Sequence, residues 1–350
     1  MLDPGEQCDD NNHFDLDGCD SACGFEVVTR MSTISISGMT APNFCVHPAN
    51  AFGTKVIANA LVLGELNTTL QQDVTSAAIN VVTQFLGLSD PTGTNATGWS
   101  LGIADATPDP ARGAWPGNNP MDWSFLADAT VVNMGLPTGQ LGNGKIVNHK
   151  ITAGPSTVTL TLSFAGTPAN LTMNNAAISG TVGNATNSPM PPPAQVEAGL
   201  KVLETITANG NGQGLCGDIT VASLAQVPVP QALTGSSMTA CTEGYTYCGV
   251  GMPVGPTCNS LLDVIIGGCH VSIISGVNPT QPDVAGSGGA VQQLSAGALK
   301  KVSVPAGDKD AYSAFLQFAT TREHFSGQSC TTTAECQSGQ TCTMALCTPQ

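Results

Sequence analysis

Residues 145–183 contain the segments KIVNHKITAG (145–154), STVTLTLSFAG (156–166) and ANLTMNNAAISGTVG (169–183). In the middle segment Val158, Leu160 and Leu162 alternate with Thr157, Thr159 and Thr161, and the segments break at Gly or Pro. A two-residue period sends successive side chains to opposite faces of a sheet, so these segments predict three or four antiparallel strands with one buried face. Outward from there, Val27–Met39 contains the alternating STISIS and reads as a strand. Trp99–Ile103 and Trp123–Met134 add short strands. Closing strands are predicted at Val271–Ile274, Val291–Leu294, Leu299–Val304 and Tyr312–Thr320.

Helical spacing is sparser. Apolar residues at Leu70, Val74, Val81, Val82 and Leu86 predict a helix within Asn67–Leu88, and Val56–Leu63 fits either strand or helix. A second helix is predicted over Ala194–Ala208, a short one over Ile219–Ala225 capped by Asp218, and another over residues 261–266. Hairpins mixed with isolated helices do not make a doubly wound sheet. The expectation is a mainly β fold: a sandwich or jelly-roll-like body with a few helices, flanked by small disulfide-rich modules.

Composition divides the chain in three. Residues 1–26 carry eight acids and no base, which leaves −7 of the net −15 for everything after them. Residues 27–325 form the β-rich body, and allow a division into two subdomains near 185–195. Residues 326–350 hold four cysteines and little that is hydrophobic, so bridges or a metal must hold them. Ten basic residues in 350 give no clustered positive surface, so a nucleic-acid partner is not expected. No apolar run is long enough to span a bilayer.

Thirteen cysteines without a CxxC pair read as disulfides, and disulfides place the chain outside the cytoplasm, extracellular or on the outer cell surface. Met1-Leu2-Asp3-Pro4 leads straight into acidic sequence, so this chain shows no export segment at its start. The odd count leaves one cysteine without a mate. At the amino end Asp9, Asp10, Asn12, Asp15, Asp17 and Asp20 crowd hard oxygen ligands around Gly18, a pattern that suits Ca²⁺ although EF-hand spacing is absent.

The same stretch, Gly5-Glu6-x-Cys8-Asp9-Asp10 followed by Asp17-Gly18-Cys19 and Cys23, resembles the cysteine-rich repeat of many myxobacterial-type secreted proteins. Asn11 stands where that repeat has glycine, and its opening Cys-Gly-Asp-Gly is missing. The resemblance implies a surface module truncated at its start, with Cys8, Cys19 or Cys23 unpaired. Cys330, Cys336, Cys342 and Cys347 are similar to a four-cysteine module found in the same kinds of protein, which implies two local bridges. The central body resembles uncharacterised secreted proteins and implies no active site.

Two patterns bear on catalysis. Gly98-Trp99-Ser100-Leu101-Gly102 has the letters of a nucleophile elbow, but its flanks are turn-rich rather than strand and helix. All three tryptophans lie within 25 residues beside acids, so Trp99, Asp105, Asp109, Trp115 and Asp122 form a candidate ligand loop for glycans. No His-Glu-x-x-His occurs, and Glu323-His324 is only an adjacent pair. Asn67, Asn95, Asn170 and Asn184 open N-x-Thr sequons. The expected function is therefore a non-enzymatic binding, adhesive or self-assembling structural protein, with itself (through strand edges) or surface glycans as partner. The alternative is a secreted hydrolase of polysaccharide or ester, using acids from Asp105–Asp128 or Ser100.

Overall fold

The computed structural model describes residues 2–57, 60–164, 167–188, 195–210, 212–224, 280, 282–285, 292–295, 298–301 and 309–350. The elements predicted at 261–266 and 271–274, with Cys241, Cys248, Cys258 and Cys269, lie outside these residues, as do 302–308 and the start of the strand predicted at Val291.

The alternating segments do form the sheet predicted from them. The body is built from β1 (Val28–Ile36), β2 (Val81–Leu86), β3 (Asn95–Pro108), β4 (Ser124–Ala127), β5 (Gly139–Val147), β6 (Lys150–Phe164), β7 (Thr167–Asn187), β8 (Lys201–Ala208), β9 (Gly214–Thr220) and β10 (Ala311–Gln328). Helix α1 spans Ala60–Thr75 and α2 is a single turn, Val221–Leu224. Antiparallel pairing runs β7–β9–β10–β1–β2–β3–β5–β6 and returns to β7, so eight strands close a circuit. Two seams are short: β1 meets β2 only over Val28–Arg30, and β5 meets β6 only over Lys145–Val147. The result is a β-sandwich-like body with its sides stitched together.

One core fills it. Val158 and Leu160 of β6, Met173 of β7, Ile206 of β8 and Phe318 of β10 pack with Val81, Phe85, Trp99, Leu101 and Leu141 from the opposite wall. Outward, Thr157, Thr159 and Thr161 of β6 hydrogen-bond Asn174, Thr172 and Asn170 of β7 at 3.0, 3.2 and 2.9 Å. That division of faces is what the alternation demanded.

Side chains close the seams where strands do not. In α1, Asn67 accepts from Ile36 N–H at 2.7 Å and donates to Ile36 C=O at 3.0 Å, while Gln71 donates to Ser32 C=O. These amides take the place of a neighbouring strand along the open part of β1, and Leu70 and Val74 of the same helix enter the core. On β8, which pairs with β7 and touches β10 only at Thr207 and Ala208, Ile206 N–H reaches the Thr320 hydroxyl and Leu203 N–H reaches Pro91 C=O. Unpaired edge groups are thereby satisfied.

Three local predictions are corrected. The helix starting near Asn67 stops at Thr75: Ala77 is left-handed, and the β-branched run Val81-Val82-Thr83 goes into β2. Residues 201–208 are strand rather than helix, because Val202, Leu203, Ile206 and Ala208 are all fully buried and both faces of β8 are covered. Asp218 lies within β9 rather than capping a helix. Strands β7 and β8, on either side of 185–195, are neighbours in one sheet.

Both end modules dock on the body. The amino-terminal one is bridged Cys8–Cys19, pairs Cys8–Asp9 with Gln195–Val196, and buries Leu16 in a second core. The carboxy-terminal one is the hairpin β11 (Gln340–Thr343) with β12 (Leu346–Pro349), bridged Cys330–Cys342 and Cys336–Cys347. The modules touch: the Gln337 amide accepts from Asp15 N–H at 3.2 Å and donates to Asp15 C=O at 2.8 Å. A fourth bridge, Cys45–Cys216, pins the loop after β1 onto β9. Among the described residues Cys23 is the free cysteine. No described helix is long and apolar enough to cross a membrane.

Candidate functional site

The loop after β3 folds back over the outer face of β1, β2 and β10, where β4 pairs in parallel with β10 and antiparallel with β3. Beneath it lies the second core, with Val28, Val82, Phe125 and Phe325 buried and Trp115 and Trp123 at its rim. Trp115 meets Trp123 edge-on at 5.6 Å and donates its indole N–H to Thr75 C=O at 2.8 Å.

Four charged residues and a histidine gather here. Arg30 is 1% exposed and stacks 4.7 Å from the Trp115 ring centre. Its guanidinium donates to Asn80 Oδ1 at 2.6 Å, Asn119 Oδ1 at 2.7 Å and the carbonyls of Val74 and Ile79. Burial draws its pKa down to about 10. Glu323, also 1% exposed, accepts from Trp123 N–H at 2.6 Å through Oε2, while Oε1 has no hydrogen-bond partner. Burial pushes its carboxyl well above the usual range, against the Trp123 N–H and the charge of Arg30. Asp122 takes a two-pronged contact from Arg322, Nε–Oδ1 2.7 Å and Nη2–Oδ2 3.2 Å, with His324 Nε2 at 3.5 Å. Partial burial opposes ionisation of Asp122, but the contacts from His324 and Arg322 outweigh it and hold the carboxyl below its ordinary value. His324 is buried edge-on against Phe25.

The predicted ligand loop is only partly brought together. Trp115 and Asp122 meet around this second core, and Asp109 joins the same layer by accepting from Ser326 Oγ at 2.8 Å while capping the turn at Pro110–Arg112. Trp99 is inside the body, 2% exposed and 5.1 Å from the Phe85 ring. Gly144 gives it room, since a Cβ there would sit 2.4 Å from the indole. Asp105 accepts from Thr161 Oγ1, and its pKa is raised by burial and by the charge of Asp128. Ser100 sits mid-strand opposite Leu86, with no sharp turn into a helix.

Sequence reasoning missed Arg30 and Arg322 and passed over the pair Glu323-His324. Arg322-Glu323-His324 is three ionisable residues in a row in a charge-poor chain, and that was the available signal. It also missed a second pairing, where His47 Nδ1 lies 2.8 Å from Asp218 Oδ2. Asn175 donates to the same oxygen at 2.7 Å.

The expected calcium site is not assembled. Asp9, Asp10 and Asp20 each turn an oxygen back to the backbone N–H two residues on, at Asn11, Asn12 and Ala22, and Asp15 accepts from Ser21 N–H. Asn12 donates to Asp17 Oδ2 at 3.0 Å. Burial, and after it the neighbouring Asp10 carboxylate, raises the Asp17 carboxyl to about 7. Among the described residues, the group of metal-type side chains that does converge is Cys330, Cys336 and Cys347, with sulfurs within 4.8 Å of one another. It offers soft sulfur rather than hard oxygen, and its sulfurs are occupied in bridges. Comparison of the chain with protein families, curated proteins and solved structures gave no match.

Proposed function

We propose that this chain is a non-enzymatic extracellular or cell-surface protein whose body serves as a rigid binding or adhesive module. The observation that carries the proposal is the commitment of the candidate catalytic side chains to internal contacts. Asp122 is taken by Arg322, Asp109 by a turn and Ser326, and Asp105 by Thr161, while Ser100 lies flat in β3. The four described disulfides and the likeness of residues 5–23 to secreted cysteine-rich repeats support an extracellular setting. Of the two expected partners, surface glycans suit the molecule better than strand-edge self-pairing. The edges of β1 and β8 are occupied, whereas the Thr and Asn pairs of β6 and β7 present uncharged hydrogen-bonding groups to solvent.

The test is co-sedimentation with chitin, cellulose and peptidoglycan, with reducing-sugar and ester-hydrolysis assays on the same samples. Retention that falls at least fivefold in Thr159→Lys, without turnover, is the expected result. Turnover abolished by Ser100→Ala or Asp122→Asn would return the chain to the hydrolases.

A further inference from the structure

The four cysteines of residues 326–350 are placed in an unusual way. Cys342 and Cys347 stand directly opposite each other across β11 and β12, yet neither bonds to the other. Cys342 crosses to Cys330, and Cys347 to Cys336. The two bridges thus start from paired positions of one hairpin, and the sulfurs of Cys330, Cys336 and Cys347 lie within 4.8 Å of one another. The sulfur of Cys342 is bonded to that of Cys330 and so stands beside this group, although it is not one of the three mutually close sulfurs. In a tetrahedral zinc–thiolate centre, Zn–S bonds of about 2.3 Å put the sulfurs about 3.8 Å apart. Two of the three mutually close cysteines are buried and Cys336 is half-buried, so the group is shielded yet reachable.

We propose that the carboxy-terminal module is a redox-dependent zinc site: with its two bridges reduced, Cys330, Cys336, Cys342 and Cys347 bind one Zn²⁺ as a four-thiolate centre. Each bridge becomes two thiols, taking two electrons from a phosphine, which leaves as its oxide while water supplies the oxygen and the two protons, or two electrons and two protons from a dithiol, which leaves as a disulfide. Zn²⁺ then displaces four protons. Oxidised glutathione reverses this: four electrons pass to two molecules of glutathione disulfide as both bridges form, and one Zn²⁺ leaves. The module has almost no apolar core, so one or the other cross-link must hold its shape. The inference stands apart from the proposed function, because it concerns the reduced chain whatever the body binds.

The experiment uses the full-length chain, reduced with a phosphine, freed of reductant under nitrogen and titrated with Co²⁺ and then Zn²⁺. The expected result is the absorption of tetrahedral thiolate-bound cobalt, bleached by zinc. One equivalent more metal should bind than in a variant with Cys330, Cys336, Cys342 and Cys347 all changed to Ser. The remaining nine cysteines are common to both chains, so the difference belongs to this module. Equal stoichiometry in the two chains, or no thiolate–cobalt band in the wild type, would overturn the proposal. Should the fourfold variant not fold, the double change Cys336→Ser with Cys347→Ser serves instead. It should cut the charge-transfer intensity at least twofold and weaken zinc at least tenfold, and unchanged values there would equally refute the site.

Discussion

Arg30 shows what a single buried charge does in this molecule. Its guanidinium fastens the end of α1 through Val74, the following turn through Asn80, and the loop over the second core through Asn119. Arg30→Met keeps the bulk but leaves these acceptors without donors. A loss of about 2–4 kcal/mol in stability is expected, read from urea unfolding. Glu323 gives the complementary case. A carboxyl whose pKa is higher folded than unfolded binds its proton more tightly in the folded state. The stability this contributes is full below the unfolded pKa and is lost as pH rises through the folded value. Glu323→Gln reproduces the protonated form, still accepting from Trp123 N–H. Unfolding curves from pH 5 to 9 should show the wild type losing stability relative to the variant as pH rises; parallel curves would contradict a neutral Glu323. The amino-terminal aspartates mark a limit of the sequence at this scale. An Asp that accepts the N–H two residues on and an Asp that binds a cation have the same letters, and only the folded backbone separates them.

Among the elements, β6 and β7 were legible because one face is core and the other is water, so the period of two survives in the letters. The same logic fails for β8, where burial on both sides removes the alternation and the spacing imitates a helix. It fails again at α1, whose polar Asn67 and Gln71 look like a solvent face but serve β1. Asn67→Leu should therefore act as a seam defect rather than a helix defect. The Ile36 amide is expected to exchange at least tenfold faster by hydrogen exchange, at a stability cost of about 1–3 kcal/mol, while α1 keeps its protection. The site was less legible than the fold. Trp115 and Asp122 were found by their clustering in sequence, but their partners Arg30 and Arg322 come from strands 85 and 200 residues away in the chain.

For the whole molecule, the bridges decide how much order survives heat. Cys45–Cys216 closes 171 residues, worth about 5 kcal/mol in a chain-entropy account. Changing both cysteines to Ala should lower the melting temperature by several degrees, and scanning calorimetry measures it. Alkylation of the native chain followed by peptide mass spectrometry is expected to label Cys23 and to spare Cys8, Cys19, Cys45, Cys216, Cys330, Cys336, Cys342 and Cys347.

The closed circuit also sets a timetable. Residues 28–36 of β1 leave the ribosome well before their partner β10, residues 311–328. At about 5–20 residues per second, β1 waits on the order of tens of seconds for the strand that completes its ladder. During that interval the threonine-rich hairpin of β6 and β7 can form locally, whereas the second core lacks Glu323 and Phe325 and cannot assemble. A nascent chain stalled before residue 311 is therefore expected to be an open half-sheet, and the choice between folding and aggregation waits on the synthesis of β10.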